Sequence, residues 1–211
     1  MSKIRAVIFD MDGVLIDAKD WHYEAFNRAL RLFGFEISRY DHIITYDGLP
    51  TRKKLEMLSL EQNLPEKLHD FINEMKQLYT MEIVHARCKP IFQHEYALSN
   101  LKSKGYKLGL ASNSIRESIK VMLSKSNLLD YMDTVVSAED VVYPKPDPEI
   151  YIKAMKQLDL SPDECLIVED NENGIKSAKA SGGNLFIVED VMDVSFDNIT
   201  KLIDKIESGA L

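Results

Sequence analysis

Two aspartates stand one residue apart at the end of the first apolar segment of the chain. Residues 4–9 read Ile-Arg-Ala-Val-Ile-Phe, and Asp10-Met11-Asp12-Gly13 follows directly. If the apolar segment is a strand, side chains two residues apart point the same way, so Asp10 and Asp12 could face one site. Gly13 allows the chain to turn at this point. We therefore expect the two carboxylates and nearby carbonyl groups to surround a small cation or a phosphate.

Three more polar segments follow apolar segments that are typical of strands. They are Ser112-Asn113-Ser114 after residues 108–110, Lys145 between Pro144 and Pro146, and Glu169-Asp170 after residues 166–168. Each segment alone is typical of a helix start or a surface loop. Parallel strands, however, bring their carboxyl ends to one edge of a sheet. We therefore expect a hydroxyl, a lysine and two acidic pairs to converge at that edge.

This set of side chains suits phosphoryl transfer assisted by Mg²⁺. The transferred group spreads negative charge over its oxygens, which a fixed lysine and a serine hydroxyl can stabilise. A carboxylate can attack phosphorus only when charge repulsion is relieved, and a cation held by other carboxylates relieves it. A second acid must protonate the leaving oxygen and later accept a proton from water.

The elements that must position these residues form an α/β pattern. Five short aliphatic runs with little alternation are predicted to be buried parallel strands, at residues 6–9, 107–111, 134–137, 165–168 and 184–188. Segments with helical periodicity lie between them, which implies right-handed crossovers. The predicted fold is a doubly wound, Rossmann-like parallel sheet.

One stretch interrupts the alternation of strands and helices. Residues 18–85 show helical periodicity and no convincing strand, with the cleanest amphipathic pattern between Leu68 and Ile83. We therefore predict an α/β catalytic core of residues 1–17 and 86–211 and an inserted all-helical cap domain of residues 18–85. The cap would rise from the sheet edge that carries Asp10 and Asp12.

Charge and composition exclude several classes of partner. The chain has 211 residues and a net charge of −8, which argues against nonspecific binding to nucleic acid or to an anionic membrane. No apolar run approaches the ~20 residues of a membrane span, and the short N-terminal run ends in acids, unlike a signal peptide. Cys88 and Cys165 are predicted to be reduced thiols of a cytoplasmic protein, which we expect to be a monomer or weak dimer.

The four polar segments, in this order, resemble the motifs of the haloacid dehalogenase superfamily. The matching stretches are Asp-Met-Asp-Gly-Val-Leu, Ser-Asn-Ser, Pro-Lys-Pro and Val-Glu-Asp-x-x-x-Gly. The position of the helical insertion resembles the cap of the phosphatase and β-phosphoglucomutase-like branch. The resemblance covers nearly the whole chain.

The resemblance implies roles for the residues of the core. Asp10 would be the nucleophile that becomes an aspartyl-phosphate, and Asp12 the general acid/base. Ser112 would hold phosphoryl oxygens with the Asn113 backbone, and Lys145 would stabilise the negative charge. The implied Mg²⁺ site consists of Asp10, Asp12 through its carbonyl, Asp170, and Glu169 directly or through a water molecule.

The cap is expected to choose the substrate. Arg52 lies in Gly-Leu-Pro-Thr-Arg, close to where related caps present a specificity loop. His22 follows Asp10 by twelve residues, the spacing at which the β-phosphoglucomutase-like branch carries a cap histidine. Lys76 could reach the cleft from the third cap helix. These three residues are predicted to bind substrate.

The function predicted from the resemblance is Mg²⁺-dependent hydrolysis of small phosphorylated metabolites, of the sugar or polyol phosphate class. The alternative is a phosphomutase such as β-phosphoglucomutase, which would pass the phosphoryl group to a second sugar hydroxyl instead of water. A phospho-receiver domain is disfavoured, because receivers carry their acceptor on a later strand and have no helical insertion after the first.

Overall fold

The computed structural model describes residues 3–210 and divides the chain into two compact units. The first unit extends to Asp17 and resumes at Lys89, and the second comprises Ala18–Cys88. The second unit therefore ends later than residue 85, because its last helix continues through Arg87. The expected ends of the core at residues 1 and 211 lie outside the described residues.

The first unit is built on a parallel sheet of five strands. The strands are β1 (Ala6–Phe9), β2 (Lys107–Ala111), β3 (Thr134–Val136), β4 (Cys165–Glu169) and β5 (Asn184–Ile187). Their order in the sheet is β3-β2-β1-β4-β5, with every neighbouring pair parallel. The predicted α/β fold is confirmed; β1 and β2 have the predicted bounds, and β3, β4 and β5 each end one residue away from the prediction. Ser137 caps a 3₁₀ turn with Asp140 instead of continuing β3.

The α-helices are α1 (Lys19–Arg31), α2 (Arg39–Asp41), α3 (Thr51–Gln62), α4 (His69–Arg87), α5 (Phe92–Ser103), α6 (Arg116–Lys125), α7 (Glu149–Leu158), α8 (Glu172–Ser181) and α9 (Phe196–Ser208). A π-helical turn covers His42–Tyr46, and 3₁₀ turns cover Glu66–Leu68, Leu129–Tyr131, Ala138–Asp140, Pro162–Glu164 and Val191–Asp193. None of the helices that the structure describes has the length and apolar character needed to cross a membrane.

The strand order creates a switch point next to β1. The chain proceeds from β1 through β2 to β3 on one side, and then crosses to β4 and β5 on the other. In sheets of this type, ligands bind beyond the carboxyl ends of the strands at such a reversal. The ends of β1 and β4 therefore mark the place for a site.

Helix α7 packs on the strands that lead to this site. It contacts β1, β2 and β3, and its buried apolar residues join the core of the sheet. Each large apolar side chain buried in this way contributes about 1.5–3 kcal/mol. Helix α8 contacts β4 and β5, and α5 packs between β2 and α9. The loops that precede α7 and α8 therefore lead directly into helices that are packed on the sheet.

The second unit consists of helices, with no strand among its residues. Helices α1 and α4 pack along each other, and α3 packs on α4. Its core includes Phe26, Leu30, Leu58 and Ile72. The buried side chain of Asn27 forms two hydrogen bonds of 2.9 Å with the backbone of Ile37, one as donor and one as acceptor. The predicted helical insertion is present with its own core.

Candidate active site

The sheet register brings the predicted polar segments to one edge. Phe9 pairs with Val168 and with Leu110, so the residues that follow on the three strands are neighbours. The backbone N–H of Asp10 donates to Val168 at 3.0 Å, which continues the ladder beyond β1. Parallel pairing thus places Asp10 beside Glu169, as the sequence predicts.

Lys145 is the centre of the buried polar cluster. Its Nζ lies 2.6 Å from Asp10 Oδ1, 2.6 Å from Glu169 Oε1 and 2.8 Å from the hydroxyl of Tyr151. All four side chains are buried. Burial alone would lower the pKa of Lys145, but the carboxylates of Asp10 and Glu169 raise it above its ordinary value. Lys145 is therefore a firmly protonated cation.

The loop that carries Lys145 is held by the end of β2. The backbone N–H of Lys145 donates to Asn113 Oδ1 at 3.0 Å, and Asn113 Nδ2 donates back to the Lys145 carbonyl at 3.2 Å. The side chain of Asn113 thus positions the lysine, a role in addition to the one predicted for its backbone. Ser112, the first residue after β2, is buried and continues the ladder by donating its N–H to Val136.

A tight turn presents Asp12. The carbonyl of Met11 accepts from the N–H groups of Leu15 and Ile16, and Gly13 has a φ of 88°. That backbone conformation strains any residue with a side chain, which explains the glycine. The hydroxyl of Ser114 donates to Asp12 Oδ2 at 2.9 Å. Asp12 is therefore oriented by the segment that follows β2.

Three carboxylates at this edge form a group able to hold a cation. One oxygen each from Asp10, Glu169 and Asp170 lies within 4.8 Å of the others. Oxygen donors in this number suit a hard divalent ion such as Mg²⁺. Burial raises the pKa of Asp10 well above its usual value; Lys145 opposes that rise, while Glu169, Asp170 and Asp12 add to it. A bound cation would offset this excess of negative charge, so the residues present fit the ion.

The two members of the acidic pair are not equivalent. Glu169 Oε1 accepts from Lys145 and Tyr151, and its Oε2 accepts from the backbone N–H of Asp170 at 3.1 Å. Its carboxylate is thus committed to protein donors on both oxygens. Asp170 is only half-buried. Glu169 thus binds Lys145 in addition to belonging to the three carboxylates that could hold a cation.

Sequence reasoning missed two residues of the cluster. Tyr151 belongs to the apolar face of α7, so its periodicity indicates only a core position, although its hydroxyl bonds Lys145 and Glu169. Ser114 stands where a helix cap is expected, but the N-cap of α6 is Ile115 and has no side-chain bond. The proximity of Ser114 to a catalytic segment was its only sequence signal.

The three predicted substrate-binding residues of the insertion all lie in the helical unit. His22 on α1 and Lys76 on α4 are brought together, with 3.4 Å between His22 Nδ1 and Lys76 Nζ. Arg52 is the second residue of α3; its side chain is 88% exposed and lies 3.9 Å from Glu56 Oε1. Their part in substrate binding stays a prediction.

Known proteins similar to this chain identify its family. A family model described as haloacid dehalogenase-like hydrolase matches residues 7–188. A phosphorylated carbohydrates phosphatase from Thermotoga maritima is 31% identical over 182 residues, covering 85% of this chain and 82% of the relative. A phosphoglycolate phosphatase from Aquifex aeolicus is 31% identical over 179 residues, with the same two coverages.

A solved structure shares the fold of this chain. The crystal structure of β-phosphoglucomutase from Clostridium difficile matches with a TM-score of 0.84 and 23% identity, over 97% of this chain and 99% of that one. At this identity the match shows the fold alone. The family model spans most of the chain and includes every motif from Asp10 to Asp170. The chain therefore belongs to the haloacid dehalogenase-like hydrolases, as its motifs predict.

Proposed function

We propose that this protein is a Mg²⁺-dependent phosphatase of small phosphorylated metabolites that works through an aspartyl-phosphate on Asp10. The observation that carries the proposal is the contact between Lys145 and Asp10, 2.6 Å long and buried, beside the carboxylate of Asp170. A sugar or polyol phosphate is the proposed substrate class. The similarity to a phosphorylated carbohydrates phosphatase supports it.

The first half of the reaction forms the covalent intermediate. An oxygen of the Asp10 carboxylate bonds to phosphorus as the bond from phosphorus to the ester oxygen breaks. Lys145 keeps Asp10 oriented, and Ser112 with the adjacent backbone N–H groups donates to the phosphoryl oxygens. Asp12, held by Ser114, gives its proton to the leaving oxygen. Asp10, Asp170 and the Asp12 carbonyl would hold Mg²⁺, which would supply positive charge against the repulsion of carboxylate and phosphate.

The second half releases phosphate. Asp12, now ionised, accepts a proton from a water molecule as the water oxygen bonds to phosphorus. The bond between phosphorus and the Asp10 oxygen breaks, and its electron pair returns to the carboxylate. Inorganic phosphate leaves, and Asp12 is again protonated for the next turnover. Lys145 remains paired with Asp10 and Glu169 throughout.

The test is a phosphate-release screen over sugar, polyol, nucleotide and acid phosphates with matched variants. Asp10→Asn should abolish turnover while the protein stays folded, whereas Asp130→Asn, an exposed aspartate of the same unit, should behave as the parent. EDTA should stop the reaction and Mg²⁺ restore it. If Asp10→Asn keeps activity within about tenfold of the parent, or if turnover continues in EDTA, the proposed aspartyl-phosphate mechanism is wrong.

A phosphomutase is the second candidate function. The pair formed by His22 and Lys76 favours it, because two basic side chains on facing helices can bind hydroxyl and phosphate groups of a sugar phosphate. β-Glucose 1-phosphate distinguishes the two activities. Isomerisation faster than phosphate release indicates the mutase, and release without isomerisation indicates the phosphatase.

A further inference from the structure

We propose that Tyr151 is a positioning residue that sets the orientation of Lys145 against Asp10. The inference rests on the proposed function, since it concerns the lysine that stabilises the nucleophile. Tyr151 lies six positions after Lys145 and on the next helix, α7. No motif of the sequence singles it out.

The hydroxyl of Tyr151 joins the two charged partners. Its oxygen accepts from Lys145 Nζ at 2.8 Å, and its proton is donated to Glu169 Oε1 in a short hydrogen bond. The Lys145 ammonium also lies 4.7 Å from the centre of the tyrosine ring. Tyr151 and Glu169 are both completely buried. The side chains of Lys145, Tyr151 and Glu169 are therefore all bonded to one another and almost completely buried.

The donors of Lys145 are fully used in this arrangement. An ammonium has three N–H groups, and those of Lys145 point at Asp10, Glu169 and Tyr151. Three partners in different directions fix the position of Nζ, whereas two would let it swing. Without the Tyr151 hydroxyl, one N–H of Lys145 loses its acceptor and Glu169 loses a donor. Both losses fall in a site that water does not reach, where they cost the most.

The tyrosine ring is itself immobile. Its neighbours on the same face of α7, Ile150, Ala154 and Met155, are buried in the core cluster of the sheet. Helix α7 contacts β1, the strand that ends at Asp10. The hydroxyl of Tyr151 and the carboxylate of Asp10 are therefore both held by elements of the same packed core. Fixed dipoles of this kind stabilise developing charge without reorganising during the reaction.

Loss of the Tyr151 hydroxyl is expected to lower the rate of turnover and not the affinity for substrate. Tyr151 is completely buried and its hydroxyl bonds only Lys145 and Glu169, so loss of the hydroxyl is expected to leave the binding groups in place. A lysine that is free to swing stabilises the transition state less well at Asp10. Loss of an interaction made only in the transition state lowers kcat and leaves KM nearly unchanged.

Tyr151→Phe tests this, because it keeps the ring and removes only the oxygen. With p-nitrophenyl phosphate as substrate, kcat should fall roughly tenfold or more, with KM within about twofold of the parent. Tyr46→Phe is the matched control. Tyr46 is also buried and donates its hydroxyl to a glutamate, Glu61, at 2.7 Å, but it lies in the helical unit. It should lose a similar amount of thermal stability with kcat unchanged.

A merely structural role gives a different result. If Tyr151→Phe lowers the melting temperature but keeps kcat within about twofold of the parent, or raises KM alone, the positioning role is overturned. The outcome with Asp10→Asn separates this inference from the proposed function. An inactive Asp10→Asn together with a fully active Tyr151→Phe overturns only the role of Tyr151, whereas an active Asp10→Asn overturns the mechanism itself.

Discussion

Replacing Gly174 by alanine is expected to displace the carboxylate of Glu169 and so disturb the setting of Lys145. A Cβ at position 174 would lie 1.9 Å from Glu169 Oε1 and 2.0 Å from its Cδ. Gly174 is the third residue of α8, so the start of this helix lies directly against the Glu169 side chain. The far end of a flexible side chain can often move aside. Glu169 cannot do so easily, because Lys145, Tyr151 and the backbone of Asp170 all bond it.

Two opposing terms decide the size of the effect. Glycine to alanine inside a helix is favourable by about 1 kcal/mol when nothing is in the way. Forcing Glu169 from its partners leaves the buried Lys145 poorly compensated, and breaking a buried ion pair costs about 3–5 kcal/mol. The difference is a destabilisation of about 2–4 kcal/mol. For a chain of this length, that lowers the melting temperature by roughly 4–16 °C.

Thermal unfolding by circular dichroism, with kcat measured on the same samples, checks both consequences. Gly105→Ala is the control, because Gly105 has a φ of 87° and a Cβ there meets nothing within 4 Å. Its backbone strain should cost about 1–2 kcal/mol and leave kcat unchanged. If Gly174→Ala is as stable and as active as the parent, Glu169 does not hold Lys145 in the way described.

Two further predictions concern different parts of the chain. Ser114→Ala removes the hydrogen bond to Asp12 and should lower kcat roughly tenfold with little change in KM; an unchanged kcat in steady-state assays would contradict the orientation of Asp12 by Ser114. Burial, followed by the charge of Lys54, lowers the pKa of His42 from 6.5 to about 4. Because the folded state favours neutral His42, up to about 3 kcal/mol of stability should be lost as the pH falls from 6.5 through 4. Urea unfolding between those pH values should show this loss, and His42→Phe should reduce it.

The sequence predicts the strands well because burial on both faces leaves little choice of residue. All four residues of β1 are buried, and most of their partners on β2 and β4 are aliphatic, such as Leu108, Leu110 and Ile167. The exits of these strands then follow from the parallel register, which is why the positions of Asp10 and Ser112 could be foreseen. Strand ends are less certain, since a local bond such as the one from Ser137 to Asp140 competes with the ladder.

The different contacts of Glu169 and Asp170 could not be predicted from the residue types alone. Both are acids, and as a pair they suggest joint coordination of a metal. Adjacent residues at the end of a strand point in opposite directions, however. Glu169, the last residue of β4, turns into the protein and meets Lys145. The alternation of the strand contained this information, but choosing the inward residue required knowing what lay behind it.

Tyr151 and Ser114 could not be assigned from the sequence for a related reason. A tyrosine at an apolar position of an amphipathic helix predicts burial, and burial is what the structure shows. Where its hydroxyl ends depends on how α7 crosses the sheet. Likewise, Ser114 reaches Asp12 only because β2 lies next to β1. Local patterns identify groups that carry the chemistry, whereas the groups that orient them become visible only through tertiary packing.

The balance of charge around Asp10 supports the proposed cation. Removing Asp10 from water raises its pKa, and the carboxylates of Glu169, Asp170 and Asp12 raise it further against the effect of Lys145. A more basic carboxylate is a stronger nucleophile, but only while it is ionised. Lys145 forms ion pairs with both Asp10 and Glu169, so its single positive charge cannot compensate all the carboxylates that surround it. In the proposed mechanism, a divalent ion held by Asp10 and Asp170 would lower the pKa of Asp10 again and favour its ionised form while the residue stays buried. Metal binding would thus control how much of Asp10 is available as the proposed nucleophile.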